Sequence, residues 1–202
     1  MALVGDGMEL RGDFSRMLPR LRQGRLQQEL LVKAARIKGA EAPTAVDCTA
    51  GLGEDSLLLA AAGFVVTLFE RDQTIAALLA DALERAAADP RLTEAVGRMT
   101  LVAGNSIAGL AALPESPDVV YLDPMFPART KSAAVKKKFQ LLHHLEQPCE
   151  EEEALVAAAL AAQPRKVVIK RPAKGALLAG MKPSYSVAGK AVRYDVLVPP
   201  RP

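Results

Sequence analysis

Short apolar runs alternate with longer Ala/Leu-rich stretches along most of the chain, and the two patterns predict different elements. Strands are predicted at Ala45–Asp47, Val65–Glu70, Met99–Ala103, Val119–Leu122, Lys166–Lys170 and Ala191–Val198. Helical spacing occupies residues 54–62, 73–87 and 150–162, with a shorter stretch at 106–112. Strand and helix in alternation imply right-handed crossovers and therefore a doubly wound, mostly parallel sheet of the α/β class. The Tyr185–Val198 region, with a turn at Gly189, is expected to close that sheet as an antiparallel strand or hairpin. Ahead of the first strand, Leu18, Leu21, Leu26, Leu30, Leu31 and Ala34 recur at helical spacing among Arg20, Arg22, Arg25, Lys33, Arg36 and Lys38. This predicts one basic amphipathic helix or two, ended by Gly39 and Pro43 and packed at one edge of the sheet. The expected organisation is a basic helical segment over 1–42 followed by a Rossmann-type domain over 43–202.

Composition supports this picture. At 202 residues and 50% hydrophobic content the chain can bury one substantial core, and with 4% aromatics and no Trp that core is built from Ala, Leu and Val. Cys48 and Cys149 lack CxxC spacing, and the first residues lack a signal peptide's basic head and apolar run, which points to a reduced, cytoplasmic protein. No apolar stretch approaches the roughly 20 residues of a membrane helix. Net charge is +3, but it is segregated. Residues 1–42 hold eight Lys/Arg against five Asp/Glu, residues 43–127 four against twelve, and residues 128–202 fourteen against six. An acidic middle suits a cationic or hydroxyl-rich ligand and a basic end suits phosphates, although solvated surface charge gives the same pattern.

In a doubly wound sheet the ligand sits at the carboxyl ends of the strands, so residues just after each run are the candidates. After the first run comes Asp47-Cys48-Thr49-Ala50-Gly51-Leu52-Gly53-Glu54-Asp55-Ser56, a turn through small residues into a helix. Gly51 and Gly53 let the main chain turn sharply and approach a ligand. Ser56 stands where a dinucleotide loop carries Gly or Ala, so an ordinary tight turn also explains the segment. The second run ends in Glu70-Arg71-Asp72, seventeen positions after Gly53, where a carboxylate can accept both hydroxyls of a ribose. The third ends in Gly104-Asn105-Ser106, polar groups suited to an adenine amine or, equally, to a helix cap.

The fourth run leads into Asp123-Pro124-Met125-Phe126-Pro127. A planar exocyclic amine has its lone pair delocalised into the ring, so a site that methylates it must receive its N–H protons on oxygen acceptors. Asp123 and the Pro124 carbonyl can do so, the proline fixes the direction of that carbonyl, and Phe126 offers a face for the base. Orientation of the amine is the expected role of Asp123, with catalysis arising from in-line placement beside the methyl donor. Arg129, Lys131, Lys136, Lys137 and Lys138 follow within ten positions, and Lys170-Arg171-Pro172 follows the fifth run; both are expected to meet nucleic-acid phosphates. His143 and His144 have no metal-ligand spacing around them, and no metal is expected.

Taken in order, DCTAGLGEDS, LFERD, GNS, YLDPMFPARTKSAAVKKK and VVIKRP resemble the RsmJ family over about residues 20–198. These are bacterial S-adenosylmethionine-dependent enzymes that methylate a guanine 2-amino group in small-subunit (16S) ribosomal RNA. The resemblance implies a Rossmann-like class I methyltransferase fold, S-adenosylmethionine as cofactor, and ribosomal RNA or the small subunit as partner. It implies cofactor contacts on Glu54, Asp55, Glu70, Arg71, Asn105, Ser106 and Asp123, to which the turn residues Asp47, Gly51 and Gly53 are added. Where the family usually carries Gly-Arg-Asp, this chain has Gly53-Glu54-Asp55, and only about forty residues precede its first strand. Other acceptors that pose the same problem are adenine N6 and cytosine N4 in RNA or DNA, and a non-catalytic RNA-binding module on a Rossmann shell is the alternative of another class.

Overall fold

The structure is a computed structural model that describes residues 1–5, 8–124 and 151–200. Seven strands form the main sheet: β3 (Thr44–Asp47), β4 (Val65–Glu70), β5 (Met99–Ala103), β6 (Val119–Leu122), β7 (Lys166–Pro172), β8 (Tyr185–Ala188) and β9 (Val192–Leu197). Their order is β5-β4-β3-β6-β7-β9-β8, parallel up to β7 and antiparallel at β9 and β8. A separate antiparallel pair, β1 (Leu3–Gly5) and β2 (Met8–Leu10), precedes it; the sequence pattern gives no signal of this hairpin. The chain winds outward from β3 through β4 to β5, then returns to β6 on the other side of β3. The β3/β6 boundary is therefore the topological switch point, where a crevice opens at the strand ends.

Strand residues alternate between two cores, as the pleat requires. Val66, Leu68, Tyr121, Val168, Tyr194 and Val196 face one side, which is covered by α3 (Glu54–Ala61), α4 (Gln73–Ala87), the short α5 (Thr93–Val96) and the N-terminal segment. Val46, Val120, Leu122, Val167, Ile169 and Leu197 face the other, covered by α6 (Ser106–Ala111) and α7 (Glu152–Ala161). Glu152 and Glu153 lie in the first turn of α7, where the positive end of the helix favours carboxylates.

The N-terminal segment differs in form from the long amphipathic helix. It is a 3-10 turn (Phe14–Met17), α1 (Leu18–Leu21), a second 3-10 turn (Leu26–Gln28) and α2 (Leu30–Ala35). Its apolar residues Phe14, Met17, Leu26, Leu31, Ala34 and Ala35 enter the same core as the sheet. α2 lies over β8, β9 and β7, the three strands at one edge of the sheet, and packs there on its face. Arg22, Arg25 and Arg36 between the apolar positions are exposed, whereas Arg20 is half-buried in an ion pair with Glu29.

The first βα turn is pinned from below by a buried carboxylate. Asp47, 1% exposed at the end of β3, accepts the Ser56 hydroxyl at 2.6 Å and the Thr49 N–H at 2.9 Å. This explains Ser56 in a position that a dinucleotide loop gives to Gly or Ala: the hydroxyl satisfies a carboxylate that is buried away from solvent. Gly51 and Gly53 both adopt left-handed φ, 52° and 74°. At Gly53 a Cβ would also come within 2.7 Å of Leu79 and 3.2 Å of the Phe14 ring, so the glycine serves close packing as well as the turn. Burial raises the Asp47 carboxyl to about 7, against the opposing hydrogen bonds from Ser56 and Thr49.

Two outcomes follow from this packing. Phe14→Ala is expected to lower unfolding free energy by about 3–5 kcal/mol and to leave a single urea transition. An early transition confined to the N-terminal segment, with the main one unmoved, would show that the shared core does not carry the segment. Asp47 has a folded value above its ordinary one, so its contribution is intact below about pH 4 and is lost as pH rises towards 7. Asp47→Asn keeps an acceptor for Thr49 and gains a donor for Ser56, and should therefore flatten the decline of stability between those limits. Unfolding curves at a series of pH values measure this, and an unchanged slope would contradict it.

Candidate active site

At the switch point the ends of β3, β4, β5 and β6 surround a cleft. Its walls include Cys48, Thr49, Phe69, Glu70, Arg71, Asn105, Ser106, Ile107, Asp123 and Pro124. Six of the residues singled out from the sequence, Glu70, Arg71, Asn105, Ser106, Asp123 and Pro124, thus come together from three strand ends. Glu70 is buried, and its two oxygens accept the Gly51 N–H at 2.9 Å and the Asp72 N–H at 2.8 Å. Burial raises its carboxyl above the usual range. The same side chain that faces the cleft therefore fixes the glycine turn across from it. Asn105 caps α6 by accepting the Ile107 N–H at 2.8 Å, which is the helix-cap reading of that residue; it also lines the cleft.

Asp123 is held on two sides. Its N–H donates to the Thr49 hydroxyl at 2.7 Å, and that hydroxyl lies 3.4 Å from Asp47 Oδ1, so the turn after β3 and the turn after β6 are tied together. Its Oδ2 accepts the Lys170 ammonium at 2.8 Å, while Oδ1 accepts no hydrogen bond among the described residues. Burial raises the Asp123 carboxyl, and Lys170 opposes that rise.

Four assignments change their meaning. Asp47 was expected among the cofactor contacts, but its carboxylate lies beneath the turn and is consumed internally. Asp55 was expected there too, but its Oδ2 accepts Lys170 at 2.7 Å and the Tyr121 hydroxyl at 2.6 Å. Lys170 and Arg171 were expected on a phosphate-binding rim. Instead Lys170 bridges two carboxylates, and Arg171 is 5% exposed with its Nε donating to the Ala176 carbonyl at 2.7 Å. β7 runs between β6 and β9, which sets Lys170, half-buried, beside the end of β6 and leaves Arg171 buried. Gly51, Gly53 and Glu54 form the turn into α3 beside the cleft. Phe126, Arg129, Lys131, Lys136, Lys137, Lys138, His143, His144 and Cys149 lie outside the described residues.

Cys48, Thr49, Phe69 and Ile107 were missed from the sequence. Cys48 and Thr49 follow β3 directly, so the strand-end rule applied residue by residue would have found them. Phe69 packs closely against α6 because Gly109 has no side chain; a Cβ there would fall 2.2 Å from its ring. That close approach leaves no trace in local spacing. Among the described residues no cluster of His, Cys, Asp or Glu could hold a metal ion, and no helix is long and apolar enough to cross a membrane.

The cleft fits S-adenosylmethionine in the chemistry of its groups. A carboxylate at the end of β4 can accept ribose hydroxyls, Phe69 and Ile107 give apolar walls for an adenine, and the Asp123 carboxylate after β6 suits a sulfonium or an ammonium. Comparison with known proteins agrees. The family model described as putative SAM-dependent methyltransferase matches residues 7–199. Ribosomal RNA small subunit methyltransferase J of Thioalkalivibrio sulfidiphilus is 50% identical over 175 residues, covering 86% of this chain and 69% of the relative. The protein of that name from Neisseria meningitidis is 40% identical over 202 residues, covering 98% and 80%. A crystal structure of a SAM-dependent methyltransferase from Neisseria gonorrhoeae superposes with a TM-score of 0.79 at 36% identity, covering 98% of this chain and 77% of that one. With a glycine turn, an acidic β4 end and the Asp123-Pro124 pair meeting at one crevice, and with relatives of this closeness over nearly its whole length, the chain belongs to the S-adenosylmethionine-dependent methyltransferases of the ribosomal RNA small subunit methyltransferase J family.

Proposed function

We propose that the chain methylates the exocyclic N2 of a guanine in small-subunit ribosomal RNA. The observation that carries this reading is the Asp123-Pro124 pair on the wall of the cleft, with Oδ2 of Asp123 held by Lys170 and Oδ1 accepting no hydrogen bond among the described residues. The names of the relatives supply the ribosomal target.

When bound, S-adenosylmethionine supplies a methyl group made electrophilic by the sulfonium. In the proposed arrangement Asp123 Oδ1 and the Pro124 carbonyl accept the two amine N–H groups, which turns the nitrogen lone pair out of conjugation with the ring and towards the methyl carbon. With the cofactor bound, the methyl group would pass to this nitrogen with the sulfonium sulfur as leaving group, and the surplus proton on nitrogen would leave to water. Phe126, two positions beyond Pro124, is proposed to stack on the base. Glu70 is proposed to hold the ribose hydroxyls, with Arg71, Asn105 and Ser106 around the adenosine and the main chain of Gly51, Gly53 and Glu54 beside the methionine part. Arg129, Lys131, Lys136, Lys137 and Lys138 are proposed to contact RNA phosphates, since they follow the Asp-Pro turn closely in the chain.

The direct test is transfer of a tritiated methyl group to small-subunit ribosomal RNA and to assembled subunits, with mapping of the modified base. Label in a guanine N2 is expected; label confined to adenine, cytosine or DNA would sink this acceptor. Asp123→Ala should cut the single-turnover rate by about 10²–10³-fold while calorimetry shows the cofactor still bound. Glu70→Ala should raise the cofactor dissociation constant about 10- to 100-fold, and wild-type affinity in that variant would exclude the ribose role.

A further inference from the structure

Lys170 occupies a position that neither phosphate binding nor ordinary packing accounts for. Leu122 of β6 pairs with Ile169 of β7, so the next residues, Asp123 and Lys170, emerge side by side at the strand ends. The ammonium lies 2.7 Å from Asp55 Oδ2 and 2.8 Å from Asp123 Oδ2. The Tyr121 hydroxyl donates to the same Asp55 oxygen at 2.6 Å, and Asp47 lies one strand away. Three carboxylates from three segments therefore crowd the β3/β6 boundary, and Lys170 bridges two of them. Among the described residues, the other charged or phenolic groups that act on the cluster are Arg171 on Asp123, Arg20 with Asp55, and Tyr194 with Lys170. Arg20 is itself engaged in a bidentate pair with Glu29, so it contributes charge at a distance rather than a bond to the site.

We propose that Lys170 is a positioning residue for methyl transfer: by pinning Oδ2 of Asp123 it turns Oδ1 to the target amine and holds that oxygen as an acceptor. This rests on the role given to Asp123 above.

The chemistry demands such a device. A protonated carboxyl would present an O–H where the amine needs an acceptor, and a free carboxylate beside Asp55 would rotate away from its neighbour. Burial and Asp55 both push Asp123 towards protonation, whereas Lys170 and Arg171 oppose it. Lys170 itself, despite the burial that would favour its neutral form, is held charged by Asp55 and Asp123. The same cation opposes the rise that burial and Asp55 give the Asp123 carboxyl, which fits an amine whose proton departs to water.

The test compares single-turnover methyl transfer across the neutral pH range in wild type, Lys170→Met, Lys170→Gln and Lys170→Arg, with cofactor affinity and thermal melting recorded for each. In the Met and Gln variants the acid limb of the rate profile is expected to move up by about one to three pH units, with much of the rate regained at higher pH. The Arg variant should return the limb most of the way to wild type. Lys170→Gln retains a donor to Oδ2 without the charge, so it serves if the Met variant fails to fold. A folded variant that loses rate equally at every pH, or whose loss follows cofactor affinity alone, overturns the proposal. If the wild type methylates no base, the acceptor reading fails separately, and Lys170 is then judged by carbon-13 titration of the Asp123 carboxyl. A higher midpoint in the Gln variant supports the assignment, and equal midpoints overturn it.

Discussion

The burial of Asp47 is the constraint on which the rest of the site depends. A carboxylate at the end of a central parallel strand has neighbours on both sides and helices over both faces, so water cannot satisfy it. Its partners must come from the chain that follows, and they do: Thr49 through its N–H and Ser56 through its hydroxyl. Those bonds set the path of the turn through Gly51 and Gly53. Glu70 then fastens Gly51 from the neighbouring strand, and Thr49 fastens Asp123 from the other side. One buried charge thus organises three strand ends into a single crevice. Its raised carboxyl is the energetic cost of that arrangement.

The electrostatics of the crevice follow from the same crowding. Asp47, Asp55, Glu70 and Asp123 are concentrated within a short distance of the switch point, which makes the region suited to a cationic cofactor but leaves mutual repulsion to be offset. Lys170 and the Tyr121 hydroxyl offset it from β7 and β6. The positive charge of the C-terminal part of the chain is therefore not all directed at phosphate. Part of it is spent inside, in stabilising the acidic centre.

Much of the architecture was legible in the linear pattern because strand and helix periods differ and because parallel sheets demand continuous apolar runs. The β4, β5 and β6 ranges agree with the predicted runs residue for residue, and the helix at 73–87 likewise. The N-terminal segment was less legible. Its helical spacing is real, but its stability comes from packing on a distant part of the sheet, which interrupts it into short turns. The β1–β2 hairpin carries too few residues for its alternation to register.

For the site, the sequence by itself determined which residues follow the strands, and hence that Glu70, Asn105, Ser106, Asp123 and Pro124 would share a crevice. That follows from topology, since all parallel strands end on one side. Which of the candidates face the cleft, and which support it from within, only the tertiary structure decided. Asp47, Asp55, Lys170 and Arg171 have the residue types of ligand contacts, yet they bond within the protein: Asp47 with Thr49 and Ser56, Asp55 with Tyr121 and Lys170, Lys170 also with Asp123, and Arg171 with the Ala176 carbonyl. Type and spacing along one strand carry no information about the strand beside it. It is the β6–β7 register that sets Lys170 against Asp123, and the layering of helices over the sheet that buries Asp47.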